Sequence, residues 1–207
     1  ANALGGGISV TTNTPNTEEW EGYVMADYGR FDTVDLEGTL NIPLVKDKLA
    51  ARINVKDFSS DGNIENINPT GGGNDSDYDY FRATVRWTPS EQLAVTLTHS
   101  VANENVGMRE GVPSGVLSPF GNVLYGDTAD PDTVGFFPQN ESQVNFNFPQ
   151  TVGTDFEYSI ARVDWDLENM RFTSITGYME SDFFLRGDID GGNIDYFREY
   201  RTIPRES

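Results

Sequence analysis

The stretch "TVDLEGTLNIPL" alternates without a break. Val34, Leu36, Gly38, Leu40, Ile42 and Leu44 fall on one side, and Thr33, Asp35, Glu37, Thr39 and Asn41 on the other. A period of two is satisfied only by an extended chain with one apolar face, because a helix repeats near 3.6. The same pattern recurs along the chain. In "EWEGYVMADYG", Trp20, Gly22, Val24, Ala26 and Tyr28 share a side. From Lys48 to about Phe58, Leu49, Ala51, Ile53 and Val55 oppose Lys48, Arg52, Asn54 and Lys56. "YFRATVRW" sets Phe81, Ala83, Val85 and Trp87 against Tyr80, Arg82, Thr84 and Arg86; "QLAVTLTHSV" groups Leu93, Val95, Leu97 and Val101 with His99. "EYSIARVDWDL" places Ala161, Val163, Trp165 and Leu167 opposite Arg162, Asp164 and Asp166. A seventh segment, "RFTSITGYMESDF", is extended, but its pattern assigns no faces. The chain therefore reads as nearly all-β, with about seven strands.

The connections add direction. After strands two, four and six they are tight, "VKD", "TPSE" and "EN". After three, five and seven they are long, at about residues 58–77, 102–155 and 186–207, and only the first link on that side, "RFD", is short. An antiparallel up-and-down sheet with tight turns at one end and long loops at the other is the arrangement of a transmembrane β-barrel, with short periplasmic turns and long extracellular loops. Trp20, Trp87 and Trp165 all fall at the tight-turn end of the apolar face, where amphipathic rings mark a membrane-water interface. Tyr28 stands eight residues from Trp20, about 26 Å along a strand or roughly 19 Å after a 45° tilt. A soluble sandwich with the three tryptophans in its core is the alternative reading of this pattern. No run of 18 apolar residues marks a transmembrane helix, and "ANALGGG" lacks the basic start and long apolar run of a signal peptide.

Composition removes several functions. Without cysteine there are no disulfides, zinc-thiolate sites or thiol nucleophiles, and the single histidine, His99, rules out a multi-histidine metal site. His99 near the loop end of its strand reads as an interfacial residue with a wet polar edge. A net charge of −19 repels phosphate backbones, so nucleic acid is not an expected partner, whereas cations are compatible. The glycines Gly5, Gly6 and Gly7 are not followed by Lys-Ser/Thr or a helix but by a β-type run, so they read as close-packing positions and not as a phosphate loop. Glu37, Arg52, Lys56, Arg82, Arg86, Arg162 and Asp164 oppose the apolar face and would line a polar lumen, most of them as cross-strand or lumen salt-bridge partners and not as a substrate path.

Calcium-type oxygen ligands collect between Asp57 and Asp79 and at Asp188, Asp190, Asn193 and Asp195. Neither set has the spacing of the helical calcium loop, and solvated loop chemistry accounts for both; no metal or cofactor is expected. The long loop after strand five carries Phe120, Tyr125, Phe136, Phe137, Phe146 and Phe148, which either stack a ligand or pack the loop. No nucleophile and base converge, so no enzyme is expected.

The opening residues and the first two strands together resemble the junction of plug and barrel in TonB-dependent outer-membrane receptors. Ala3, Gly5, Gly6, Ile8, Val10 and Thr12 match the end of that family's plug pattern, with Ser9 where the family often has Asn. Glu21, Gly22, Tyr28, Gly29, Gly38, Asn41, Pro43 and Leu44 match its first strands, and "FTSITGY" is similar to a later one. The resemblance implies that residues 1–17 end a plug and cross to the barrel, and that residues 18–207 begin a 22-stranded barrel closed by that plug. It also implies import of a scarce solute, a ferric siderophore first, cobalamin or an oligosaccharide otherwise, in the outer membrane of a Gram-negative bacterium. The implied partners are outer-membrane lipid, the remaining strands and plug of the same receptor, TonB through the rest of the plug, and a small-molecule ligand. Since about seven strands cannot close such a barrel, the chain is expected to be an N-proximal piece of a larger receptor or to pair with further strands. A structural or interaction β-module without transport is the alternative.

Overall fold

The computed structural model describes residues 12–107, 142–188 and 198–203. Ten strands run in chain order: β1 Glu21–Tyr28, β2 Val34–Val45, β3 Leu49–Ser60, β4 Glu65–Asn66, β5 Ser76–Ser90, β6 Leu93–Val106, β7 Gln143–Val144, β8 Thr151–Leu167, β9 Met170–Asp188 and β10 Arg198–Ile203. Eight of them form one antiparallel sheet in the order β1-β2-β3-β5-β6-β8-β9-β10, a meander in which sequence neighbours are spatial neighbours. The small strands β4 and β7 pair in parallel beside it. There is no helix among the described residues, so the protein is all-β.

The strand count is one correction to the sequence reading. β10 falls inside the stretch read as open loop after residue 186, and it pairs with the loop-side end of β9 from Arg198↔Asp188 to Ile203↔Phe183. The loop borders move as well, because β6 continues to Val106 and β8 begins at Thr151, each about five residues into the expected loop. That extension places His99 in the middle of β6, not near its loop end.

The tight links join β2 to β3, β5 to β6 and β8 to β9 at one end, as the alternation of link lengths predicts. These turns are tied to one another: the Thr88 N–H donates to the Lys48 carbonyl (2.7 Å) and the Asp166 N–H to the Gln92 carbonyl (2.7 Å). The sheet is not closed. Among the described residues β1 and β10 each pair on one side only, leaving two open edges.

The core is inverted relative to that of a water-soluble protein. Only Ala50, Val144 and Phe146 are buried apolar side chains among the described residues, whereas Thr39, Asn41, Asn66, Thr84, Ser100, Gln150 and Asp188 are buried polar ones. Folding in water places Leu, Ile, Val and Phe inside. This sheet leaves Val24, Leu36, Leu40, Val55, Phe81, Leu97 and Trp87 exposed instead.

Candidate functional site

The register fixes the two faces. Val24, Gly38, Val55, Phe81 and Val101 stand opposite one another across five strands, and so do Ile42, Ala51, Val85, Leu97 and Ala161. Pairing with β8 assigns the faces of β9 that the sequence pattern leaves open. Phe172, Ser174, Thr176 and Tyr178 join the apolar face, opposite Trp165, Val163, Ala161 and Ser159. Trp20 precedes β1, while Trp87 and Trp165 lie near the tight-turn ends of β5 and β8, all exposed. Tyr28, at the loop end of β1, is exposed as well and donates to Asp32 Oδ1 (2.7 Å). His99 lies on the apolar face, its Nδ1 3.0 Å from Ser159 Oγ.

The apolar band has sharp borders, and they are oblique to the hydrogen-bonded rows. On the loop side, β1 and β2 remain apolar up to the pair Tyr28↔Val34. On β3 and β5 the next row toward the turns is already carboxylate, Asp57↔Asp79. On β8 and β9 the row after that is still Glu157↔Glu180, and Tyr178 opposite Ser159 begins the band. On the turn side the border moves the same way, from Trp20 before β1, through Leu49↔Trp87, to Leu167↔Met170.

The opposite face carries the charges as cross-strand pairs. Lys56 Nζ lies 2.9 Å from Asp35 and 3.8 Å from Glu37, and Arg52 lies 3.5 Å from Glu21, whereas Arg162 pairs along its own strand with Asp164 at 2.6 Å. Arg82 has neutral partners: its Nε donates to Ser100 Oγ (3.1 Å), another nitrogen donates to the Tyr158 hydroxyl, and its guanidinium lies over the Tyr80 and Tyr158 rings. Arg86 lines cavities with Arg162 and Asp164 nearer the turns.

Residues 12–16 cross this polar face, not the apolar one. Thr12 and Asn13 line a cavity of about 430 Å³ with Tyr23, Arg52, Lys56, Tyr80 and Arg82. The crossing is fastened by Asn41, which is completely buried. Its Oδ1 accepts from the Asn16 N–H (2.9 Å) and its Nδ2 donates to the carbonyls of Asn16 and Glu19 (2.9 Å each). The Asp47 N–H of the first tight turn adds a bond to the Thr17 carbonyl (3.2 Å). The sequence places Asn41 on the polar face but assigns it no role; a neutral amide between the charged Glu21 and Arg52 of the neighbouring strands is the available signal.

At the loop end a second buried asparagine ties two distant loops together. Asn66 on β4 donates from Nδ2 to the carbonyls of Gly71 (3.0 Å) and Phe146 (2.9 Å), and its Oδ1 accepts from the Phe146 N–H (2.9 Å). Phe146 is buried beside it, and Phe148 packs edge-on against Tyr200 with Arg198 over its ring, so these two loop aromatics pack the loops on the sheet. Asp188 is fully buried and its carboxylate accepts the Asn147 N–H (3.1 Å), a structural use of one of the calcium-type oxygen ligands. A cavity of about 600 Å³ opens here, lined by Phe31, Asp61, Asn63, Glu65, Asp75 and Gln143. No signal in the asparagine-rich loop sequence distinguishes Asn66 from its neighbours.

Gly5, Gly6, Gly7, Phe120, Tyr125, Phe136, Phe137, Asp190, Asn193 and Asp195 lie outside the described residues. Among the described residues no three His, Cys, Asp or Glu side chains are arranged to hold a metal ion, and no helix is long and apolar enough to cross a membrane, which says nothing of strands. No family model matches the chain, and no curated protein or solved structure matches it either.

Proposed function

We propose that this sheet is part of the wall of a transmembrane β-barrel, its apolar face toward lipid and its polar face toward a lumen. The observation that carries the reading is the oblique, uncovered apolar band. Each row spans two residues, about 6.8 Å along a strand, and both borders descend by about three rows, roughly 20 Å, between β1 and β9. Those strands are six steps apart in the sheet, about 29 Å at 4.8 Å per step. A level band on such a sheet requires strands tilted by roughly 35°, the lower end of the tilt of outer-membrane barrels. A membrane surface is such a level reference. Measured across the tilt, eight residues of band come to about 22 Å, close to the apolar belt of these barrels.

The open edges of β1 and β10 ask for further strands, from the same polypeptide or from others. With the resemblance of the opening residues to the plug-barrel junction of TonB-dependent receptors, the function that follows is capture and import of a scarce solute across an outer membrane. A ferric siderophore is the first candidate, with cobalamin or an oligosaccharide behind it. The crossing of residues 12–16 over the polar face supports this reading, since a segment leaving a plug reaches the wall through the lumen. The chain binds its solute and does not transform it.

Because the chain has no cysteine, single cysteines can report each face. Fluorophores at Val24, Val85 and Leu97, in protein reconstituted into vesicles, are expected to be quenched by a lipid-phase quencher, and fluorophores at Thr84 and Thr98 by an aqueous one. Equal aqueous quenching on both parities would remove the membrane reading.

A further inference from the structure

Two arginines of the polar face have no carboxylate partner among the described residues. Arg82 donates only to Ser100 Oγ and the Tyr158 hydroxyl, which uses two of its five N–H groups. Arg86 has no hydrogen-bond or ion-pair partner among the described residues. Arg52 stands between them on the next strand. Its pairing partner on β5 is Thr84, so Arg82 and Arg86 are its two diagonal neighbours, each about 7–8 Å away. The Arg52 side chain is only 12% exposed, and its one carboxylate, Glu21, lies 3.5 Å off, beyond the about 2.7–2.9 Å of a strong charge-assisted bond. Three arginines thus surround Thr84, which is buried and has its hydroxyl 3.3 Å from that of Thr98.

Like charges held this close repel, and a half-buried guanidinium has lost part of its water. The nearby carboxylates are already engaged. Glu21 also accepts from Asn16 Nδ2 (2.6 Å), and Glu37 takes the Tyr23 hydroxyl beside Lys56. Asp164 receives two Arg162 nitrogens (2.6 and 2.9 Å) and the Thr173 hydroxyl (2.9 Å). Residues 12–16, which cross this face, contain no acid. Thr12 and Asn13 line both the cavity of about 430 Å³ beside Arg52 and Arg82 and a cavity of about 620 Å³ beside Arg86, Thr84 and Thr98. What faces the three cations is therefore open volume with a hydroxyl-and-amide lining, which adds donors and no negative charge. In a chain with 33 acidic and 14 basic residues, composition does not produce such a place by default.

We infer that Arg52, Arg82 and Arg86 form an oxyanion site, which takes a carboxylate or phosphate group of a solute. The planar guanidinium matches either group with paired N–H bonds. Ala83 and Val85 flank Thr84 and belong to the apolar face, so the site stands within the height of the apolar band and below the loops. Ionisable side chains at that depth mark ion and substrate pathways, and arginine lines anion-selective pores. The inference deepens the transport reading by making the solute an anion. It rests on that reading only for the identity of the ligand, since binding itself needs only the polar face.

Phenylglyoxal, which modifies arginine, tests the site on the full chain folded in detergent at constant ionic strength. Inorganic phosphate is expected to slow modification of Arg82 and Arg86 about ten-fold and to leave Arg171, near the turn, unchanged. Equal slowing at Arg171, or no slowing at Arg82 and Arg86, would overturn the inference. Resistance of Arg82 and Arg86 before any phosphate is added would mean that a carboxylate of the protein already holds them, which overturns it too. Thr98→Asp places a carboxylate beside Thr84 and is expected to abolish the protection by phosphate with the β-sheet circular dichroism unchanged. Protection that persists in this variant on an intact sheet overturns it equally. No lipid enters the measurement, so its failure is distinct from a failure of the quenching experiment that tests the membrane reading.

Discussion

The two faces of one sheet share every backbone hydrogen bond, yet they solve opposite problems. The polar face buries threonine, serine and asparagine under long charged side chains and beneath residues 12–16; the apolar face leaves Val24 87% exposed, with no cover among the described residues. Burial is therefore a property of the polar side and exposure of the apolar side, the reverse of a soluble sandwich, in which a second sheet would cover the valines and tryptophans. Apolar area left bare in water forfeits the main favourable term in folding. An apolar surrounding restores it, and the oblique borders of the band say how the strands would stand in that surrounding.

The largest effect should come from placing a charge on each face in turn. Leu97→Arg puts a cation in the centre of the apolar band, and a lipid-facing Arg near the midplane costs about 2–4 kcal/mol. The next residue faces the other way: Thr98→Asp, on the face that carries Arg82 and Arg86, is expected to stay within about 1 kcal/mol. Denaturant titrations of the protein folded in vesicles measure both. Similar costs at the two positions would break the distinction between the faces.

Much of that distinction was legible in the residues. Six strands announced their faces by alternation, strict in β2 and broken on the polar side by Tyr23 and Met25 in β1 and by Ile160 in β8. β9 did not, because Ile175 and Met179 interrupt the polar side while Ser174 and Thr176 interrupt the apolar one; only its pairing with β8 orders them. β10 and the β4–β7 pair were invisible for another reason. Strands of six and two residues are specified by their partners, Asp188 to Phe183 in one case and the bonds of Asn66 in the other, and no local pattern encodes a partner. The same holds for Asn41, whose position on the polar face was readable while its bonds to Asn16 and Glu19 belong to the tertiary structure.

Asn41 gives the next prediction, one that sharpens what the polar face does. Asn41→Ala removes three hydrogen bonds at a fully buried site and leaves the Asn16 N–H and two carbonyls without their partner. Stranded buried groups cost about 1–3 kcal/mol. The loss should be confined to the crossing: amide exchange at Asn16 is expected to accelerate while the β5–β6 pairing stays protected. Equal acceleration throughout would mean that the latch supports the sheet and not the crossing.

Smaller effects separate ion pairs within the polar face. Lys56 stands between Asp35 and Glu37 with all three side chains no more than 30% exposed, so Lys56→Met leaves two half-buried carboxylates facing each other without a cation. A destabilisation of about 1 kcal/mol is expected, the upper part of the range for partly exposed pairs.

Arg171 and Asp166 make the shorter pair, 2.5 Å from Nε and 2.8 Å from the second nitrogen, and geometry alone would rank it above Lys56. Exposure reverses the order. Both side chains lie beside the tight turn between β8 and β9, Arg171 68% and Asp166 48% exposed, where water solvates each charge nearly as well as its partner does and salt screens the remainder. Arg171→Gln is therefore expected to shift the unfolding midpoint by less than about 0.5 kcal/mol equivalent, with the small effect vanishing near 1 M salt. A loss larger than that of Lys56→Met would mean that the turn end of the polar face is shielded from bulk water, and that something covers Asp166 as residues 12–16 cover Asn41.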